Sequence, residues 1–295
     1  MHKKLWEATD KEKKNSNLFE FETFLAKNYN YEVTKNFKHL HNWSIKNSKL
    51  FWNSIWDYCQ IKGQKNNSFK LTENLIDSKF FLKSKINFAE NIFSKIDNSK
   101  SATFVSENGY KEHRTWEEMY NNTSKIVQYF KGINIKEKDR VAAYTPNQIE
   151  TLEYFLATSS IGAIWSSCSP DFGPQGVIER FSQIKPKVLI LTDRYYYNGK
   201  EINVINRLPS ILNKIKSIKN VIVLNYPGKK FLKCKKIRGI NIIQKSALSK
   251  YKPLKIVFKQ FDFDHELYIL YSSGTTGKPK CICHRAGGVL LQHLK

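Results

Sequence analysis

Several absences narrow the class of this chain before any motif is read. It has no Gly-x-Gly-x-x-Gly stretch, so the dinucleotide fingerprint of a strand-to-helix turn is missing. It has no internal repeat, which excludes solenoids and propellers. Cysteine is scarce and odd in number: Cys59, Cys168, Cys234, Cys281 and Cys283, with no framework spacing. That excludes a disulfide scaffold and points to a reducing compartment, the cytoplasm. The opening residues Met1–Glu7 contain no apolar core of a secretory signal. The longest stretch of low charge, 151–168, is interrupted by Glu153 and by serines. It falls short of a membrane span and reads as a buried helix.

Acidic side chains are also in short supply. Against 49 Lys and Arg stand 26 Asp and Glu, a formal net charge of +23. Such an excess can serve nucleic acid or an acidic surface. Here the lysines are scattered through every segment, and only Lys229, Lys230, Lys233, Lys235, Lys236 and Arg238 form a compact run. That run reads as a solvated loop or as a contact with an acidic partner. A nucleic-acid surface would interleave aromatics with the charge on one face. Most aromatics here fall where a core is expected, so no nucleic-acid partner is expected.

What is present is enough apolar material for a large core: 41% hydrophobic and 14% aromatic residues over 295 positions. Residues 1–100 are aromatic-rich and irregular, with Trp43, Phe51, Trp52, Trp56 and Tyr58 in a helical cluster. A regular rhythm begins near Thr103. Thr115 followed by Glu118 is a capping box. Trp116, Met119, Thr123, Ile126, Val127 and Phe130 then line one helix face as far as Gly132. Arg140–Tyr144 reads as a strand. Asn147 and Glu150 repeat the capping pattern at the head of a helix ending near Gly162. A helix through Val177, Phe181 and Ile184 stops before Pro186, and 188–191 is a strand. A long helix over about 205–218 leads into the strand Asn220–Leu224. Strands that are continuously apolar, alternating with helices, predict an α/β fold with a mostly parallel sheet covered on both faces.

The densest chemistry lies near the end. The apolar strand 267–271 runs into Ser272, Ser273, Gly274, Thr275, Thr276, Gly277, Lys278, Pro279 and Lys280. Small residues let a backbone approach phosphate closely, hydroxyls and N–H groups donate, and ammonium groups balance charge. The nucleotide P-loop does not match, because only two residues separate Gly274 from Gly277-Lys278 and proline follows the lysine. A plain strand-to-strand turn is the competing reading. Cys281-Ile282-Cys283-His284 has two thiols on one strand face but no second cluster to complete a zinc site, so no metal site is expected.

The stretch from Tyr271 to Lys280 resembles the signature loop of the adenylate-forming enzymes, the acyl-CoA synthetases and their relatives. Within them the chain is similar to the acetoacetyl-CoA synthetases, through 87–92, 162–173, 180–186, 197–200 and 280–295. The resemblance implies the large N-terminal domain of such enzymes, incomplete here. It implies residues 1–100 as an N-terminal extension typical of acetyl- and acetoacetyl-CoA synthetases, and 101–295 as an AMP-binding domain truncated just after the phosphate loop. The implied activity is a ligase reaction in lipid and fatty acid metabolism: acetoacetate, ATP with Mg²⁺, and coenzyme A give acetoacetyl-CoA through an acyl-adenylate. Another short acid in place of acetoacetate, or a non-catalytic basic binding module, are the alternatives.

By the same resemblance Ser272, Ser273, Gly274, Thr275, Thr276 and Gly277 wrap the β- and γ-phosphates, and Lys280 supports the loop or the phosphates. Thr275, Thr276 and Lys280 carry the catalytic roles. Arg180 either meets the nucleotide end of coenzyme A or is a salt-bridged surface arginine. Trp165 is core or a wall of the acyl pocket. Such enzymes continue well past the loop, with an acyl-pocket segment, a magnesium glutamate, a ribose aspartate and a mobile domain bearing the adenylation lysine. The 295-residue chain is therefore expected to be a fragment, poor in stability and inactive in thioester formation.

Overall fold

Alternate residues of each central strand enter two different cores, and this organises the larger part of the molecule. The structure is a computed structural model that describes residues 5–34, 36–272 and 277–295. It divides into two compact units, Met1–Ser84 with Val289–Lys295, and Lys85–Gly288.

In the first unit the helices Asn17–Tyr29, Phe37–Lys46 and Ser48–Tyr58 pack through aromatic edges. Phe21 meets Tyr58 at 5.1 Å and Phe51 at 6.3 Å, and Trp56 lies 4.9 Å from Phe81. The two Phe21 contacts are edge-on, which suits the ring quadrupoles, while the Trp56–Phe81 pair is tilted. The aromatic cluster expected from the sequence is thus helical, but Trp43 falls on a different helix from the other four.

The second unit is built on a seven-stranded sheet. Its strands are β1 (Arg140–Tyr144), β2 (Ile164–Cys168), β3 (Val188–Thr192), β4 (Asn220–Leu224), β5 (Asn241–Gln244), β6 (Glu266–Tyr271) and β7 (Cys281–Arg285). The order is β5-β4-β3-β1-β2-β6-β7, parallel throughout except for the antiparallel β6–β7 hairpin. Four helices cover it: α1 (Trp116–Gly132), α2 (Ile149–Ser160), α3 (Pro174–Ile184) and α4 (Leu208–Lys214). Leu189 and Leu191 join Phe181, Leu208 and Ile211 in one core, while Val188 and Ile190 join Val127, Phe130 and Ala157 in the other. Successive side chains of a strand point to opposite faces, so a run apolar at every position demands cover on both.

The chain leaves β1 through α2 to form β2 on one side, then returns through α3 to place β3 on the other side of β1. That reversal opens a crevice at the carboxyl ends of β1 and β3, where ligands of open α/β sheets bind.

Local chemistry sets most helix boundaries. The Thr115–Glu118 capping box forms in full, satisfying two orphan N–H groups of α1. Three expectations fail. The box at Asn147 and Glu150 does not form: α2 starts at Ile149 with Gln148 as an N-cap lacking a side-chain bond. The Glu150 carboxylate pairs instead with the Lys245 ammonium. The stretch 151–168 is not one helix, because the chain turns at Gly162 (φ +70°) and continues as β2 between β1 and β6. A Cβ at Gly162 would come within 2.4 Å of the Phe261 ring, so only glycine fits that turn. The long helix over 205–218 is a 3₁₀ turn, Ile205–Arg207, followed by the short α4. The Asp193 carbonyl takes the Val204 and Ile205 N–H groups, and Ile215 leaves helical geometry (φ −105°, ψ 79°) as it enters the core with Ile218.

Candidate functional site

The phosphate-type loop connects β6 to β7, so its two ends are held by hydrogen-bonded neighbours. Tyr271 pairs with Cys281 at the end of the ladder. Beyond it the Ser272 N–H donates to the Lys280 carbonyl (3.1 Å), and the Lys280 N–H donates to Ser272 Oγ (3.2 Å). These two bonds close a neck. Ser273, Gly274, Thr275 and Thr276, named from the sequence as phosphate-wrapping residues, lie outside the described residues. Gly277 adopts φ +147°, open to glycine and strained for any other residue, and a Cβ there would meet nothing within 4 Å. Lys278 and Lys280 are exposed, and Pro279 between them is buried.

The strand below the neck is firmly placed. Ser166 Oγ donates to the Ile269 carbonyl (2.9 Å) and to Tyr271 Oη (3.0 Å), tying β2 to β6. Burial pushes the Tyr271 phenol far above its ordinary range, so it stays a neutral hydroxyl.

Helix α3 flanks both ends of the loop. The Arg180 guanidinium sits 4.1 Å from the Phe172 ring centroid and 5.9 Å from that of Tyr271, and it donates to the Gly176 carbonyl (2.9 Å). Among the described residues it makes no ion pair, so the surface salt bridge considered for it is replaced by stacking on aromatic faces. One turn on, Gln183 Nε2 donates to the Pro279 carbonyl (2.9 Å) and to the Glu179 carbonyl (2.9 Å). Reading the sequence for chemistry missed Gln183. Its only signal is the three-residue spacing from Arg180, which puts both on one helix face.

Because β6 runs parallel to β2, the loop leaves the sheet at the same end as the turn 169–173 that follows β2. That turn is rigid. Arg207 donates to the Pro170 carbonyl (2.8 Å), the Phe172 carbonyl (3.1 Å) and Tyr144 Oη, and the Tyr144 hydroxyl donates to the Phe172 carbonyl. Ser169 Oγ donates to Asp171 Oδ2 (2.7 Å). Beside it, at the carboxyl ends of β1 and β2, lies a cavity of about 280 Å³ walled by Thr145, Asn147, Cys168, Asp171 and Tyr195–Tyr197. Burial pushes the Cys168 thiol up to about 12, so it is not a nucleophile at neutral pH. Trp165 is buried and forms part of a neighbouring cavity with Leu152 and Phe155.

A second polar cluster lies under α1 and α2. Burial pushes the Glu153 carboxyl up to about 7, although Asn122 donates to it (2.8 Å) and Arg114 Nε stands 3.5 Å away. For Glu150 burial is the largest single cause and acts upward, but Lys245, a backbone hydrogen bond and Arg114 together hold the carboxyl below its ordinary value. No described helix is long and apolar enough to cross a membrane. Among the described residues no three His, Cys, Asp or Glu are grouped to hold a metal ion. Cys281 and Cys283 are exposed free thiols on β7.

A profile of the AMP-binding enzymes matches residues 94–294, more than half of the chain. The chain belongs to the AMP-binding enzyme family. It is 38% identical over 256 residues to acetoacetyl-coenzyme A synthetase of Rhizobium meliloti, covering 86% of this chain and 39% of that protein. Against acetoacetyl-CoA synthetase of Gallus gallus the identity is 35% over 305 residues, with 99% and 44% covered. Malonamoyl-CoA synthetase of Penicillium aethiopicum is 31% identical over 299 residues, with 96% and 41% covered. The structure of acetoacetyl-CoA synthetase from Streptomyces lividans superposes with a TM-score of 0.90 at 26% identity, over 100% of this chain and 45% of that one. The α/β architecture is therefore that of the N-terminal domain of adenylate-forming enzymes. The chain spans about two fifths of the length of the curated relatives it matches.

Proposed function

We propose that this AMP-binding chain is the phosphate-loop portion of an acid–thiol ligase that joins acetoacetate to coenzyme A. The observation that carries the reading is the arrangement at one end of the sheet. A closed hairpin neck presents the loop 272–280, and a rigid turn and a cavity open beside it at the topological reversal.

The chemistry needs both places. A free carboxylate is a poor electrophile, so an acetoacetate oxygen attacks the α-phosphorus of ATP and pyrophosphate leaves. The coenzyme A sulfur then attacks the acyl carbon of the adenylate, and AMP departs with the acyl C–O electron pair. Negative charge grows on the phosphoryl oxygens in the first step. Donors fixed before the reaction stabilise that charge at no reorganisation cost.

In this reading Ser272 to Gly277 wrap the β- and γ-phosphates and Lys280 stands by as the exposed ammonium at the neck. Arg180 and the cavity beside the turn 169–173 face the coenzyme A side. In this reading Mg²⁺ comes with the phosphates of ATP, as magnesium commonly does. The reduced cysteines fit a cytoplasmic setting.

The likeness to a malonamoyl-CoA synthetase favours one second reading, a different short 3-oxo acid or its amide. Two measurements test the proposal. The 295-residue chain should bind MgATP, with binding lost in the Thr275→Ala, Thr276→Ala double variant. The protein expressed from its native transcript should catalyse ATP–pyrophosphate exchange with acetoacetate at rates well above those with acetate or propionate. Exchange that ignores the acid offered, or absence of MgATP binding, overturns the proposal.

A further inference from the structure

Helix α3 touches the neck of the loop from outside the hairpin. Among the described residues, two bonds between Ser272 and Lys280 close the neck from within the hairpin. Gly277 contributes no side chain, and Lys278 and Lys280 are exposed. The neck adjoins β7, which among the described residues is bonded to β6 alone and whose first three residues are exposed. Edge strands shift more readily than central ones because half of their ladder groups are unpaired.

Gln183 holds the neck from outside the hairpin. Its carboxamide has two N–H donors. One is anchored on its own helix at the Glu179 carbonyl, and the other reaches the Pro279 carbonyl, both at 2.9 Å. Its Oε1 accepts from the Cys281 thiol at 3.6 Å. One side chain thus grips the residues on either side of Lys280. The helix beneath it is pinned by Val177, Phe181 and Ile184, all buried in the core. Gln183 itself is exposed, so its reach across to the loop is not forced by packing.

We propose that Gln183 is a positioning residue, fixing the neck of the phosphate loop and the Lys280 backbone against α3 so that the neck is in place before ATP arrives. The inference rests on the reading of 272–280 as the phosphate site. It assigns Gln183 no contact with the nucleotide. Ordering the neck in advance removes that entropy cost from nucleotide binding.

The test uses the 295-residue chain with Gln183→Ala, Gln183→Glu and Gln183→Lys. The alanine variant removes the bridge, the glutamate keeps the shape but sets an acceptor against the Pro279 carbonyl, and the lysine restores an N–H donor of similar reach. Amide hydrogen exchange at Ser272 and Lys280, MgATP affinity and thermal midpoint are measured for each. In the alanine and glutamate variants exchange at the two neck amides should rise about 5-fold, the size of one lost hydrogen bond. MgATP affinity should fall about as much, with an unchanged midpoint and with the lysine variant near wild type.

Unchanged neck exchange in the alanine variant overturns the inference. So does faster exchange spread across β1 and β3, which marks a merely structural residue, or faster neck exchange with undiminished MgATP affinity. If wild-type chain fails to bind MgATP, the functional reading falls, while the exchange arm still decides whether Gln183 holds the neck.

Discussion

β3 and β7 are five-residue strands of one sheet, and they could hardly differ more. Every residue of Val188–Thr192 is buried, whereas Cys281, Ile282 and Cys283 are exposed. β3 lies between β1 and β4 with helices over both faces, and β7 closes the order at one end. Position in the sheet, not strand propensity, decides composition. The centre requires Val, Leu and Ile at consecutive positions, and the edge accepts Cys, His and Arg. The edge is also where the loop is mounted, since a strand free on one side can turn without breaking a neighbour's ladder.

The contrast is tested most severely by opening the centre. Leu189 is fully buried among Phe181, Leu208 and Ile211. Leu189→Ala should destabilise the chain by about 2–5 kcal/mol, the lost transfer free energy plus the cavity left behind. Urea unfolding followed by circular dichroism measures it, and a cost below about 1 kcal/mol would show that the centre is not packed as described.

The next effect comes from charge buried over the centre. A glutamate in the unfolded chain releases its proton near 4.5, while Glu153 in the folded chain holds it to about 7. Between those values the folded state binds the extra proton, so stability is highest near pH 4.5 and falls as pH rises to 7. The expected loss is on the order of 3 kcal/mol, since each pKa unit is about 1.4 kcal/mol. Glu150, whose shift is downward, acts in the opposite sense and only below its unfolded pKa, so it does not mask the trend. Glu153→Gln should flatten the profile between about pH 5 and 7.5. A wild-type chain whose stability rises over that window would sink the assignment.

These cases show what the sequence could and could not reveal. The Thr115 capping box was legible because both partners lie within one turn. The identical spacing at Asn147 and Glu150 was misleading, because the Glu150 carboxylate is claimed by Lys245, a partner 95 positions away. Apolar continuity disclosed the central strands, since two-sided burial leaves no polar position. It overextended the helix after Ile205, where Ile215 and Ile218 serve the same core from non-helical backbone. In the candidate site, the loop 272–280 stands out in the sequence because its small and hydroxyl residues are contiguous. Gln183 does not, because its partner Pro279 stands 96 positions on, and only the sheet brings the two together.

The smallest expected effect lies at the edge. Ile282 is 47% exposed and faces Leu270, itself 42% exposed, across the hairpin. Ile282→Ala removes methyl groups that are already half in water, so stability should change by no more than about 0.5 kcal/mol. An exposed apolar pair on a strand that ends the sheet among the described residues also invites another strand, and a lysine there should discourage it. Ile282→Lys should therefore leave the unfolding midpoint nearly unchanged while lowering light scattering of the concentrated chain. The contrast with Leu189 depends on this null in stability. A loss near that of the central leucine would mean that β7 is packed in solution, and the distinction between centre and edge would fail.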